Sequence, residues 1–280
     1  MKKLYSPFQL LYKAHLLSLD VVLGAVICHL IFWKLPSGNV EINWFSVVVL
    51  SLVVWSIYVA DRLFDNQKDY QQATERHVFH AENKVILTRL VVGCVVIAGV
   101  LVFFLPTSII QFGILVASLT AIYLWLTSKS SQKSFFQLLK EPITALVYTA
   151  AVFGVAVVDK KEVGITTCGI GFFFLLISFQ NLLLFSLFEY KNSAEAYSLA
   201  SHWGMDFSEK MIQNIFLGIA VLGIVLQFFA ENRFEKRMIF IEILMAAVLW
   251  QISQYSEVFE QKNRYRWVAD AVFLLPVVLL

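Results

Sequence analysis

The chain has 280 residues, of which 59% are hydrophobic and 15% charged, with 25 Phe. Soluble domains carry about 25% charged residues, so a core this apolar leaves too little polar material to cover a water-facing surface. The net charge of +2 does not point to nucleic acid, because the basic residues fall in loops beside apolar runs.

A mean hydropathy of +0.73 with repeated apolar runs reads as an all-α, polytopic membrane helical bundle. A span needs about 20 apolar residues. Nine runs approach that length, at approximately 14–33, 43–60, 85–105, 108–127, 143–158, 164–188, 211–230, 238–255 and 266–280. About nine transmembrane helices are therefore expected, in one domain over 1–280. Met1-Lys2-Lys3 has the look of a signal-peptide start, but no small-residue cleavage site follows the first run, so that run reads as a retained span. With nine spans, sixteen of the 22 Lys and Arg fall on the N-terminal side of the membrane. The positive-inside rule then predicts a cytoplasmic N-terminus and an extracytoplasmic C-terminus, in a bacterial inner membrane.

The second run ends in Trp55-Ser-Ile-Tyr-Val-Ala-Asp-Arg-Leu-Phe-Asp-Asn-Gln-Lys-Asp69. Asp61, Asp65 and Asp69 recur at steps of four. On a helix each step advances about 400°, so the three carboxylates stay within roughly an 80° arc. Like charges on one face repel. A hard divalent cation such as Mg²⁺, which takes carboxylate oxygens together with substrate phosphates, answers that repulsion. The plain alternative is a solvated helix end with Arg62 and Lys68 as local partners.

Other polar groups fall at the same depth. Asp20 lies about a turn into the first span, Lys140 and Glu141 open the fifth, Gln180, Asn181 and Glu189 lie toward the end of the sixth, and Asp270 lies in the ninth. Ionisable groups inside spans are rare and costly. Their common level predicts a polar cavity open to the cytoplasm, against the alternative that each snorkels or caps its own helix. Glu242, toward the outer end of the eighth span, reads as structural. Cys28, Cys94 and Cys168 all lie in apolar runs and read as free, buried thiols.

The chain resembles the UbiA superfamily of intramembrane prenyltransferases. The stretch Asp61-Arg-Leu-Phe-Asp65-Asn-Gln-Lys-Asp69 is similar to that family's NxxxDxxxD, with Asp for the leading Asn. Thr74-Glu-Arg-His-Val78 resembles its Arg-containing loop, and Ser198-Leu-Ala-Ser-His-Trp-Gly204 its TLAxxxG tail. The family's second acidic pair is absent. Counting back from Gly204 puts Leu187 and Lys191 at those positions, with Glu189 between them.

The resemblance implies Mg²⁺-dependent transfer of a prenyl group from an isoprenyl diphosphate to an aromatic or lipid acceptor. Asp61, Asp65 and Asp69 would be catalytic metal ligands. Arg62, Arg76, Lys140, Asn181, Glu189 and Lys191 would be substrate contacts. Two rival readings are a non-catalytic protein of the same fold that binds an isoprenoid or quinone, and a transporter with an acidic ion site. Against the transporter, the charges gather at one membrane face, whereas transporter sites sit near the midplane.

Overall fold

The computed structural model describes residues 14–65, 75–129, 135–192 and 197–280, and every regular element among them is helical. Six helices are long and apolar enough to cross a membrane, and two shorter apolar helices, Leu19–Trp33 and Thr107–Tyr123, accompany them. The chain is thus a helical membrane protein. It divides into two compact units, one of Met1–Val26 with Asn43–Leu105 and one of Ile27–Ile42 with Pro106–Leu280.

The first unit contains the start of α1 (Leu19–Trp33). It also holds α2 (Trp44–Asp65), α3 (Glu75–Glu82) and α4 (Lys84–Leu101). Asn43 starts α2: its Oδ1 accepts from the backbone N–H of Phe45 at 3.1 Å and of Ser46 at 3.3 Å. On α2, Val47, Leu50, Val54 and Val59 are buried while Val48, Val53 and Ile57 are exposed. Both faces are apolar, so the exposed row suits lipid, not water. Past α4, a tight turn at Val102–Phe104 stacks Phe104 on Phe45 with centroids 5.2 Å apart.

The first apolar run is broken, not continuous over 14–33. Ser18 has φ of 56° and α1 begins at Leu19. Two bonds hold the break. His15 Nδ1 meets Asp20 Oδ2 at 2.5 Å, and Trp55 Nε1 donates to Leu17 O at 3.1 Å.

In the second unit α5 is Thr107–Lys129, and α6, Phe135–Leu138, is a single turn. A span over Lys140–Val157 comprises α7 (Lys140–Thr149), a π-helical turn at Ala150–Gly154 and α8 (Val155–Val157). Then come α9 (Ile165–Asn192), α10 (Leu199–Trp203), α11 (Met205–Phe229) and α12 (Arg233–Gln254). The end is made by α13 (Ser256–Glu260), α14 (Arg264–Ala271) and a 3₁₀ segment, Val272–Leu279. The ninth apolar run is therefore no regular α-helix over its length. Pro276 lies inside it and has no N–H to donate.

The core of this unit is α9. Of its apolar stretch 67% is buried, against 11% for Lys84–Phe104 in the first unit. Helices α7, α11 and α12 all pack on it. Phe174 of α9 centres an aromatic cluster with Phe32 (4.8 Å), Tyr148 (5.7 Å) and Phe273 (5.8 Å). The rings meet mostly edge-to-face, the arrangement their quadrupoles favour. The π turn lies against this cluster through Phe153, and its Val152 carbonyl accepts from His29 Nδ1 at 2.8 Å.

The three cysteines are free, as expected, but only Cys28 is buried; Cys168 is exposed. An apolar run on a lipid-facing helix turns part of its circumference outward.

Lys160, in the loop before α9, closes the far end of α1. Its ammonium donates to Trp33 O at 2.9 Å, Phe32 O at 3.4 Å and Leu35 O. A cation there answers the helix dipole and the carbonyls of Trp33 and Leu35, while Phe32 O is shared with the Leu35 amide at 3.2 Å. Burial pulls the Lys160 pKa from 10.5 to about 8.

Two outcomes follow. The folded Lys160 releases its proton at lower pH than the unfolded one, so between about pH 8 and 10.5 the unfolded state binds more protons. Stability should rise with pH across that window, and Lys160→Met should flatten the rise, read from chemical denaturation in detergent at several pH values. At Gly171 of α9, any Cβ would run into the Phe153 ring, whereas at Gly218 nothing lies within 4 Å. Gly171→Ala should cost about 1–3 kcal/mol and Gly218→Ala nothing, measured as Tm.

Candidate functional site

The helix α2 does not stop at the apolar limit of residue 60. It runs on through Asp61 to Asp65, so these two positions lie one turn apart on one helix. Asp61 is exposed and Arg62 half-buried. The side chain of Asp65, and Asp69 altogether, lie outside the described residues, as does the side chain of Arg76, whose backbone lies in α3. Among the described residues no three His, Cys, Asp or Glu converge on a common point. Of the three carboxylates, Asp61 is the one whose side chain is described, and its oxygens are open to solvent.

The remaining candidates belong to the second unit. Lys140 is exposed at the start of α7. Asn181 is 6% exposed on α9, and its Oδ1 has no donor. At the Asn192 end of α9, both charged candidates have partners within the chain. Glu189 Oε1 accepts from Arg266 Nη2 at 2.5 Å. Lys191 Nζ donates to Glu209 Oε1 at 2.7 Å and to Ser256 Oγ at 3.2 Å. Between them Tyr265 stacks on Phe188 with centroids 4.3 Å apart and planes 4° from parallel. Leu187 is fully buried. The two positions that align with the family's second acidic pair are thus a core residue and an ion-paired lysine.

The structure also gives a role to residues that the sequence did not single out as site residues. Ser198–Gly204 is a formed turn of helix. Ser198 Oγ accepts from Ser201 N at 3.3 Å, and Ser201 Oγ accepts from Ser198 N at 2.9 Å, a reciprocal cap. Gly204 ends the turn at φ of 81°, a conformation that favours glycine. The first amides of the turn are taken by its neighbours. Glu141 Oε1 of α7 accepts from Leu199 N at 3.3 Å, and Ser186 Oγ of α9 accepts from Ala200 N at 3.2 Å. Glu141 and Ser186 therefore dock the tail-like segment onto two spans. The Ser-x-x-Ser pattern at Ser198 was a readable cap signal; the docking was not, because both partners are distant in sequence.

No family model matches the chain, and no curated protein or solved structure matches it.

The α9 end yields a measurable coupling. Lys191 is 12% exposed and Glu209 34%. A partly buried pair of this kind couples by about 1 kcal/mol. A double-mutant cycle of Lys191→Met and Glu209→Gln, read by denaturant unfolding, should return that coupling; strict additivity would show that the pair does not form in the membrane protein.

Proposed function

We propose that the protein is a UbiA-like integral membrane prenyltransferase, moving a prenyl group from an isoprenyl diphosphate to an aromatic or lipid acceptor. The observation that carries this reading is the acidic end of α2: Asp61 and Asp65 one turn apart where a membrane-length apolar helix finishes. The docked Ser198–Gly204 turn supports it. In this reading Asp61, Asp65 and Asp69 would hold Mg²⁺, which when bound would neutralise charge developing on the diphosphate leaving group. Arg62 and Arg76 would contact phosphate oxygens as donors without acceptors. The apolar spans would keep water from the reacting carbon. Nine spans, an inner-membrane location, a cytoplasmic N-terminus and an extracytoplasmic C-terminus belong to the same proposal, resting on the charge distribution.

A second reading is favoured by a specific observation. Glu189 and Lys191 are already neutralised by Arg266 and Glu209, and Leu187 is core. A protein of this fold with only the α2 half of the clamp would bind an isoprenoid or a quinone without turning it over.

One assay separates the two. Purified protein is incubated with labelled farnesyl or geranylgeranyl diphosphate, a bacterial lipid extract and Mg²⁺. The enzyme reading expects diphosphate release above a heat-killed control, abolished by EDTA. It also expects Asp61→Asn or Asp65→Asn to reduce the rate at least about tenfold, which corresponds to about 1.4 kcal/mol. Tight binding of the diphosphate without release, unchanged by EDTA and by both substitutions, would establish the binder instead.

A further inference from the structure

The carboxylate of Glu242 lies inside α12 and is 0% exposed, and neither of its oxygens has a hydrogen-bond donor. An unpaired charge in such a place costs several kcal/mol, so the carboxylate must acquire a positive charge or a proton from somewhere. Among the described residues none donates a hydrogen bond to it. Of the titratable groups on the elements packed against α12, Glu189 and Lys191 are at the far end of α9 and are paired with Arg266 and Glu209. Asp270 of α14 answers Arg266, and Glu235, two turns away on α12, accepts from Thr167 Oγ1 at 3.0 Å. Cys28 is in electrostatic range of Glu242. Its thiol donates to Phe273 O at 3.3 Å, and it brings no positive charge.

The same stretch of α12 has a second donor-poor acceptor beside it. Gln180 Nε2 of α9 donates to Ala246 O and to Ile212 O, each at 3.1 Å. Both amide hydrogens are thereby used, and Gln180 Oε1 is buried without a donor. Ala246 is one turn from Glu242 on the same face of α12. Two helices therefore leave buried oxygen acceptors without a donor, Glu242 on α12 and Gln180 Oε1 on α9. A buried carboxylate with both oxygens free of donors suits a hard cation.

We propose that Glu242 is the binding site of a small monovalent cation, H⁺ or Na⁺, taken up into the interior of the second unit. The two ions share the chemistry of meeting one carboxylate charge. The site does not depend on the prenyl-transfer reading, and it replaces the structural role that the sequence suggested for Glu242.

The test uses the purified full chain in detergent. Thermal unfolding is followed against pH in NaCl and in KCl, for the wild type and for Glu242→Gln, which is neutral and nearly isosteric. Raising the pH in KCl should lower the wild-type Tm more than that of Glu242→Gln. If the ion is Na⁺, exchanging KCl for NaCl should restore the wild-type Tm; if it is H⁺, the exchange should change nothing. A hydrophobic carbodiimide then reports on the carboxyl itself. The protonated acid adds across a C=N bond of the reagent, its proton passing to nitrogen. Oxygen-to-nitrogen acyl transfer then leaves an N-acylurea that retains every atom of both reactants. The peptide carrying Glu242 should gain the reagent's mass, with labelling falling about tenfold per pH unit once the proton is lost, and with Na⁺ protecting in the sodium case. If Glu242→Gln does not fold, Glu242→Leu takes its place in the same comparison. Identical pH and Na⁺ responses of wild type and variant would overturn the proposal.

Discussion

In hydrocarbon a peptide group has no water to bond, and each unmet N–H or C=O costs several kcal/mol. That constraint explains both why the described elements are all helical and how they end. The carbonyls of Trp33, at the end of α1, and of Leu35, just past it, are taken by Lys160. The amides that α2 presents at Phe45 and Ser46 are taken by Asn43. Small hydroxyls within apolar helices bond inward. Ser51, Thr88 and Thr120 donate to the carbonyls of Val47, Lys84 and Val116 at 2.7, 2.8 and 2.7 Å. A Ser or Thr that answers its own helix can sit in a lipid-facing element without a cost to desolvate.

The same constraint organises the second unit around α9. A helix buried on most of its face must place its polar side chains against other helices. Thr167 meets Glu235 near the start of α9 and of α12, and Gln180 meets Ala246 farther along both. The two helices therefore run side by side in the same direction, and α11, reached by the second amide hydrogen of Gln180, returns between their ends. One glutamine with two amide hydrogens ties three helices. Where apolar packing alone offers little orientation, such a bond sets rotation about the helix axis.

Much of this was legible in the sequence, and the part that was not has a common cause. The apolar runs located the long helices, because membrane length and helix length are the same constraint. The steps of four at Asp61 and Asp65 correctly anticipated a helix continuing past the apolar limit. The break at Ser18 was not legible, since it is held by Trp55, a residue far along the chain. The last run read as a span by hydropathy, yet Pro276 and the 3₁₀ geometry make it something else. Nor was the burial of Cys94 and Cys168 decided by their apolar surroundings, because in lipid an apolar residue is as content outside as inside. Hydropathy gives depth in a membrane but not facing, and the candidate site is a matter of facing. Glu189 and Lys191 illustrate it: the sequence shows two charges near a span end, and only the packing of α9 against α11 and α14 shows that each already has a counter-charge.

That local neutrality bears on what the α9 end can contribute to any anionic ligand. A phosphate that approached Lys191 would have to displace Glu209, so the gain is the difference between two ion pairs and not the value of a whole one. Exposed pairs are worth about 0–1 kcal/mol each, which makes that difference small. Glu189 is tied to Arg266 in the same way, so neither charge at this end is spare. Leu187 is more firmly committed. It is wholly enclosed, and a carboxylate in its place would be desolvated, at a cost of several kcal/mol, unless a cation came with it. The packing of α9 has thus turned one of the two aligned positions into core and the other into a structural ion pair. In the prenyl-transfer reading, binding and ionisation of a diphosphate must then draw on the acidic end of α2 and the cations near it, which is why that end, rather than the tail-like turn at Ser198, is where the chemistry is to be sought.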